Sequence, residues 1–294
     1  MKEKTVLLGR SQSLIGILTN PGPEFDERER PAIVLLNSGL LHRVGPNRLY
    51  VKIARRLVAD GFLVLRFDLS GIGDSRIPNE TQAYDEGAVA ITDTQEVMDY
   101  LSETRGIRQF ILMGLCSGGS NAFKVARHDE RVVGVNLIEG FAFPSSTYFA
   151  RAYSKSLLSF RSWLRLLTGK SEIWGLIRGL IRFHTSKQTR ELTENLQVPG
   201  KEELLSDLQT LIEREVDLCF IYSADGAASY NYRKIFEEKI QSLPQSQRPR
   251  VDVLNGTDHL FTLLCHQEML IDLIKDWLYN FTQPKEVKEV TEVT

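Results

Sequence analysis

The chain has 294 residues, 42% of them hydrophobic, enough to bury one sizeable core as a single large domain or as a domain carrying an insertion. A formal net charge of −2 argues against a nucleic-acid partner, and no run reaches the roughly 18 uncharged apolar residues needed to span a bilayer. The three cysteines are odd in number and lack metal-ligand spacing, and MKEKTVLLGRSQSLIG at the start lacks a signal-peptide core, so a reduced, cytoplasmic chain is expected.

Taken in chain order, TVLLG and SLIGILT are expected to pair as an antiparallel edge. Short β-rich runs follow at 32–37 (AIVLLN), 62–67 (FLVLRF), 109–113 (QFILM), 132–138 (VVGVNLI), 218–222 (LCFIY) and 250–254 (RVDVL). Nearly all their residues are apolar, the signature of strands covered on both faces. Helix-like segments lie between them at about 47–60, 84–104, 118–129, 229–242 and 260–281. This alternation predicts an α/β fold around a mostly parallel sheet flanked by helices.

The alternation breaks once, after the sixth strand. Nearly 80 residues without a strand pattern separate Ile138 from Leu218, which predicts a helical insertion over 142–215 within a core of 1–141 and 216–283. Leu157, Phe160, Leu164 and Leu167 share one helical face there, as do Trp174, Ile177 and Ile181. Residues 151–190 hold nine Lys/Arg against one acid, Glu172, a local net charge of +8. The tail 284–294 is charged and poor in core formers, and is expected to be disordered.

GLCSGG, 114–119, lies where a strand gives way to a helix. A nucleophile on such a sharp turn needs very small residues two positions before and after it. With Cys116 central, the flanks are Gly114 and Gly118; with Ser117 central, one flank is Leu115, whose side chain would crowd the turn. Cys116 is therefore the candidate nucleophile, activated as a thiolate by the helix N-terminus and a neighbouring histidine. Ser117 is expected to lend its backbone N–H to a developing oxyanion, and not its hydroxyl. The alternative for Cys116 is a buried thiol in a Gly-rich turn with no chemistry.

NGTDHLF, 255–261, follows the last strand and places His259 at a strand's carboxyl end as candidate general base. Its orienting acid is expected to be Asp225, in the loop after the preceding strand. Asp258 adjoins His259 and should point elsewhere, while Asp217 and Asp252 sit at or within strands. The order Cys, Asp, His results.

With GLCSG at the elbow, SADG at the acid and GTDHLF at the histidine, the chain resembles the α/β-hydrolase superfamily over nearly its whole length. RFDLSGIGDS, 66–75, is similar to that superfamily's D-x-x-G-x-G-x-S loop, and NSGLLHRVGPNRLY, 37–50, takes the place of its oxyanion loop. The combination of LLHRVGPNRLY with GLCSGG also resembles bacterial exosortase-associated hydrolases. The resemblance implies a second oxyanion donor at the Leu40 N–H, substrate contacts from Gly39, His42 and Leu115, and a lid formed by the insertion. It implies no metal or other cofactor.

Cysteine stands where the superfamily usually has serine. Similar cysteine-centred elbows occur in dienelactone hydrolases and polyhydroxyalkanoate synthases, and thiols exchange readily with thioesters. The expected function is hydrolysis of a small-molecule ester, lactone or thioester through an acyl-cysteine. The alternatives are an acyltransferase or releasing thioesterase, whose basic lid docks an acidic acyl carrier protein, and a non-catalytic binding protein. The Trp/Leu/Arg lid helices also suit peripheral contact with a membrane surface.

Overall fold

A computed structural model of the chain describes residues 2–77, 86–140, 201–224, 243–244 and 248–282. Eight strands form one sheet in the order β1-β2-β4-β3-β5-β6-β7-β8. They are β1 (Lys2–Leu8), β2 (Leu14–Asn20), β3 (Ala32–Leu36), β4 (Val64–Phe67), β5 (Phe110–Leu115), β6 (Val132–Ile138), β7 (Asp217–Ser223) and β8 (Arg250–Leu254). β1 pairs with β2, and β2 with β4, antiparallel; every other pairing is parallel. The expected antiparallel N-terminal edge and parallel core are both present.

Alternation along the strands explains why their sequences are apolar throughout. On β3, Ala32, Val34 and Leu36 face one core cluster, while Ile33 and Leu35 face the other. On β5, Phe110 and Leu112 face the first cluster, and Ile111, Met113 and Leu115 the second. The first cluster is closed by α2 (Glu86–Arg105), α3 (Ser117–His128) and α4 (Lys201–Glu213), the second by α1 (Leu49–Ala59) and α5 (Leu264–Leu278). Burying both faces makes the sheet a rigid platform for the loops at its carboxyl edge.

Residues 201–213, assigned from sequence to the insertion, form α4 and join the core. Leu204, Leu208 and Leu211 are fully or almost fully buried in the first cluster. Arg127 on α3 pairs with Asp207 at 2.7 Å, and Arg214 donates to the carbonyls of Ala126 and Asp129. Glu202 and Glu203 in the first turn of α4 complement the helix dipole. The remaining expected insertion (142–200), the helix at 229–242 and the tail 284–294 lie outside the described residues. Among the described residues, no helix is long and apolar enough to cross a membrane.

Candidate active site

The turn from β5 into α3 is built by glycines in contact. A Cβ on Gly114 would stand 2.3 Å from the backbone carbon of Gly118, and a Cβ on Gly118 would stand 2.5 Å from the carbonyl oxygen of Asn37. No larger residue fits either position. Between them Cys116 adopts φ 57°, ψ −120°, a left-handed conformation costly for a side-chain-bearing residue. Its N–H donates to Ile138 O at 2.7 Å, which ties the strained residue to β6.

A second tie comes from α1. The hydroxyl of fully buried Tyr50 donates to Leu36 O at 2.9 Å and accepts the Leu115 N–H at 2.8 Å, bridging the ends of β3 and β5. Leu115, expected to touch substrate, has its side chain fully buried in the second cluster and its amide bonded to Tyr50.

His259 lies in the loop between β8 and α5, its side chain 44% exposed. Its ring is in hydrogen-bonding reach of the Cys116 thiol, and its Nδ1 faces Glu139 Oε2 at 3.2 Å. The hydrogen bond with Cys116 comes first, and the Glu139 carboxylate second, in raising the His259 pKa to about 10. The Cys116 pKa is lowered from the ordinary thiol value, chiefly by the hydrogen bond from His259, with help from the Ser117 N–H. Both shifts favour a thiolate beside an imidazolium. The start of α3 adds its positive end to the same atom.

The acid facing His259 is thus Glu139, which the sequence reading passed over. Asp225 lies outside the described residues. Glu139 follows β6, is 1% exposed and has φ 53°; its Oε1 also accepts the Ser223 N–H. The other acids considered are occupied elsewhere. Asp258 accepts the N–H groups of Leu260 and Thr262, Asp217 accepts the Trp277 indole N–H at 2.8 Å, and Asp252 pairs with Arg250. The available signal was the sequence IEG: an acid ending an apolar run on the strand beside the nucleophile's own.

The loop 37–42 after β3 comes to the elbow as expected. Ser38 O accepts the Leu41 N–H at 3.0 Å, closing a tight turn in which Gly39 takes φ +54°. The Gly39 N–H donates to Ser117 Oγ at 2.7 Å, so the Ser117 hydroxyl is engaged by the loop. Leu40 is 86% exposed, and its amide has no protein acceptor among the described residues. His42 is exposed, with its Cβ against Gly73. Fully buried Asp68 anchors the loop's root by accepting from the Arg43 amide and guanidinium and from Asn37 Nδ2. Among the described residues, no group of three His, Cys, Asp or Glu side chains is placed to hold a metal ion.

A family model described as "alpha/beta hydrolase fold" matches residues 31–268. Solved structures share the fold at low identity. A serine hydrolase without a lid from Xanthomonas campestris is 15% identical, with 97% of this chain and 98% of that one covered at a TM-score of 0.56. A dienelactone hydrolase from Anabaena variabilis is also 15% identical, with coverage of 96% and 99% and a TM-score of 0.56. An esterase from Pyrococcus furiosus is 14% identical, with coverage of 96% and 92% and a TM-score of 0.61. A comparison with curated proteins gives no match.

Proposed function

The chain belongs to the α/β-hydrolase fold family, and we propose that it hydrolyses an ester, lactone or thioester through an acyl-cysteine intermediate. The observation that carries this reading is the line from Cys116 through His259 to Glu139, assembled from the ends of three different strands. In the proposed reaction the Cys116 thiolate attacks the acyl carbonyl carbon, and the carbonyl electron pair moves onto oxygen. The amides of Ser117 and Leu40 are the donors available to that oxyanion. Protonated His259 gives its proton to the leaving oxygen or sulfur as the bond to carbon breaks. The neutral imidazole then takes a proton from water, whose oxygen attacks the acyl-cysteine. Collapse of the second oxyanion releases the carboxylic acid and restores the thiolate and imidazolium. Glu139 holds the ring's orientation and stabilises its positive form throughout.

Acyl transfer is a second reading, supported by the same thiolate: an acyl-cysteine can pass its acyl group to an amine, alcohol or carrier thiol in place of water. The basic run 151–190 is then a docking segment for an acidic carrier protein. Intact-mass measurement after mixing with p-nitrophenyl esters and acyl thioesters tests both readings. A transient adduct of acyl mass that is absent from Cys116→Ala is expected. An adduct surviving that change, or turnover equal to wild type without the thiol, rejects the cysteine mechanism. Product analysis with and without added acceptor separates hydrolysis from transfer.

A further inference from the structure

Ser117 presents two groups to two different places. Its amide favours the Cys116 thiolate, while its Oγ accepts the Gly39 N–H from a loop 78 residues earlier in the chain. The root of that loop is held by buried polar groups. Asn37 Nδ2 donates to Leu41 O at 2.9 Å, Asn37 Oδ1 accepts the Leu69 N–H at 2.8 Å, and Arg43 pairs with both Asp68 and Asp74. The tip has no such support. Among the described residues, no atom beyond its chain neighbours lies within 4 Å of where a Cβ on Gly39 would stand, and Leu40 is 86% exposed.

We infer that the Ser117 hydroxyl is a positioning group which clamps the tip of loop 37–42 and so fixes the direction of the Leu40 N–H. The catalytic consequence rests on the acyl-hydrolase reading above. The physical argument is one of leverage. An oxyanion donor is useful only when held about 2.7–3.1 Å from where the charge forms. Here the amide adjoining that donor is fixed by one hydrogen bond between neutral groups. Because this hydrogen bond is exposed, losing it leaves no buried orphan, so fold stability should barely change while the alignment of the donor is lost.

The clamp and the rest of the elbow can be separated by experiment. Ser117→Ala removes the acceptor, and Ser117→Thr supplies the same oxygen. For Ser117→Ala on a p-nitrophenyl ester, kcat should fall about 10- to 100-fold with KM changed by less than about threefold. Alkylation of Cys116 by iodoacetamide should keep its wild-type pH profile, because the thiol and its base are untouched. Amide hydrogen exchange in the peptide spanning residues 37–43 should become faster in Ser117→Ala and return to wild type in Ser117→Thr, as should kcat. The inference is overturned if Ser117→Ala keeps kcat within about twofold, if loop exchange does not change, or if Ser117→Thr restores neither. A Cys116→Ala protein that turns over like wild type would instead reject the acyl-hydrolase reading. The exchange comparison would still decide whether the clamp exists.

Discussion

A carboxylate cut off from solvent keeps its charge only where donors face it, and Glu139 has two: the Ser223 amide and the His259 ring. Its charge is what a glutamine would lack. Glu139→Gln should therefore lower kcat by about a hundredfold or more while the elbow stays folded, measured by steady-state kinetics beside a thermal melt. The sign of the accompanying pH change follows from the same contact. Activity should rise with pH as Cys116 loses its proton, at a value below the ordinary thiol range, and fall near pH 10 as His259 loses its own. Removing the carboxylate withdraws a group that favours the imidazolium, so the descending limb should move to lower pH in Glu139→Gln. A descending limb that stays in place would separate Glu139 from the base. At this scale Cys116 and His259 were legible in the sequence because local rules fix them: small residues at spacing two around the elbow, and a histidine just past a strand. Glu139 was not, since nothing in the local sequence says which strand-end carboxylate faces the imidazole, and only the folded sheet shows Glu139 there.

Tyr50 shows how an element remote from the chemistry shapes it. It lies on α1, yet its hydroxyl joins Leu36, before loop 37–42, to Leu115, before the elbow. Tyr50→Phe keeps the ring packing but leaves the buried Leu115 N–H without its acceptor, a cost of about 1–3 kcal/mol. A lowered melting temperature and a weaker kcat are expected together; an unchanged melt would mean that the two strand ends need no bridge. Gly118→Ala is a harsher change, because the added carbon meets the backbone of Leu36 and Asn37 at the buried end of β3. It should cost about 3 kcal/mol or more and abolish thiolate reactivity toward iodoacetamide. Most elements were readable from hydrophobic pattern alone, because strands buried on both faces and helices buried on one carry distinct periods. The limit was α4. Its apolar positions at 204, 208 and 211 repeat as in any amphipathic helix, and nothing in that period says whether the face meets the sheet domain or an insertion.

Across the whole molecule, one buried pair links the N-terminal half of the sheet to the site. Asp68 closes β4 and is fully buried, holding Arg43 and the root of loop 37–42, while its backbone carbonyl accepts from Ser75. Asp68→Asn leaves Arg43 with only the exposed Asp74 as counter-charge and should destabilise the fold by about 3–5 kcal/mol, read by chemical denaturation. A loss below about 1 kcal/mol would show that Asp74 alone suffices as the partner of Arg43. The topology has a further consequence, one of time. The parts of the site are made in the order of the loop at 37–42, Cys116, Glu139 and finally His259, whose loop follows the last strand of the sheet. At about 5–20 residues per second, translation leaves an interval of roughly seven to thirty seconds between Cys116 and His259. During that interval the thiol lacks the imidazole that lowers its pKa. The contact with His259 that favours the thiolate forms once the loop after the last strand is in place.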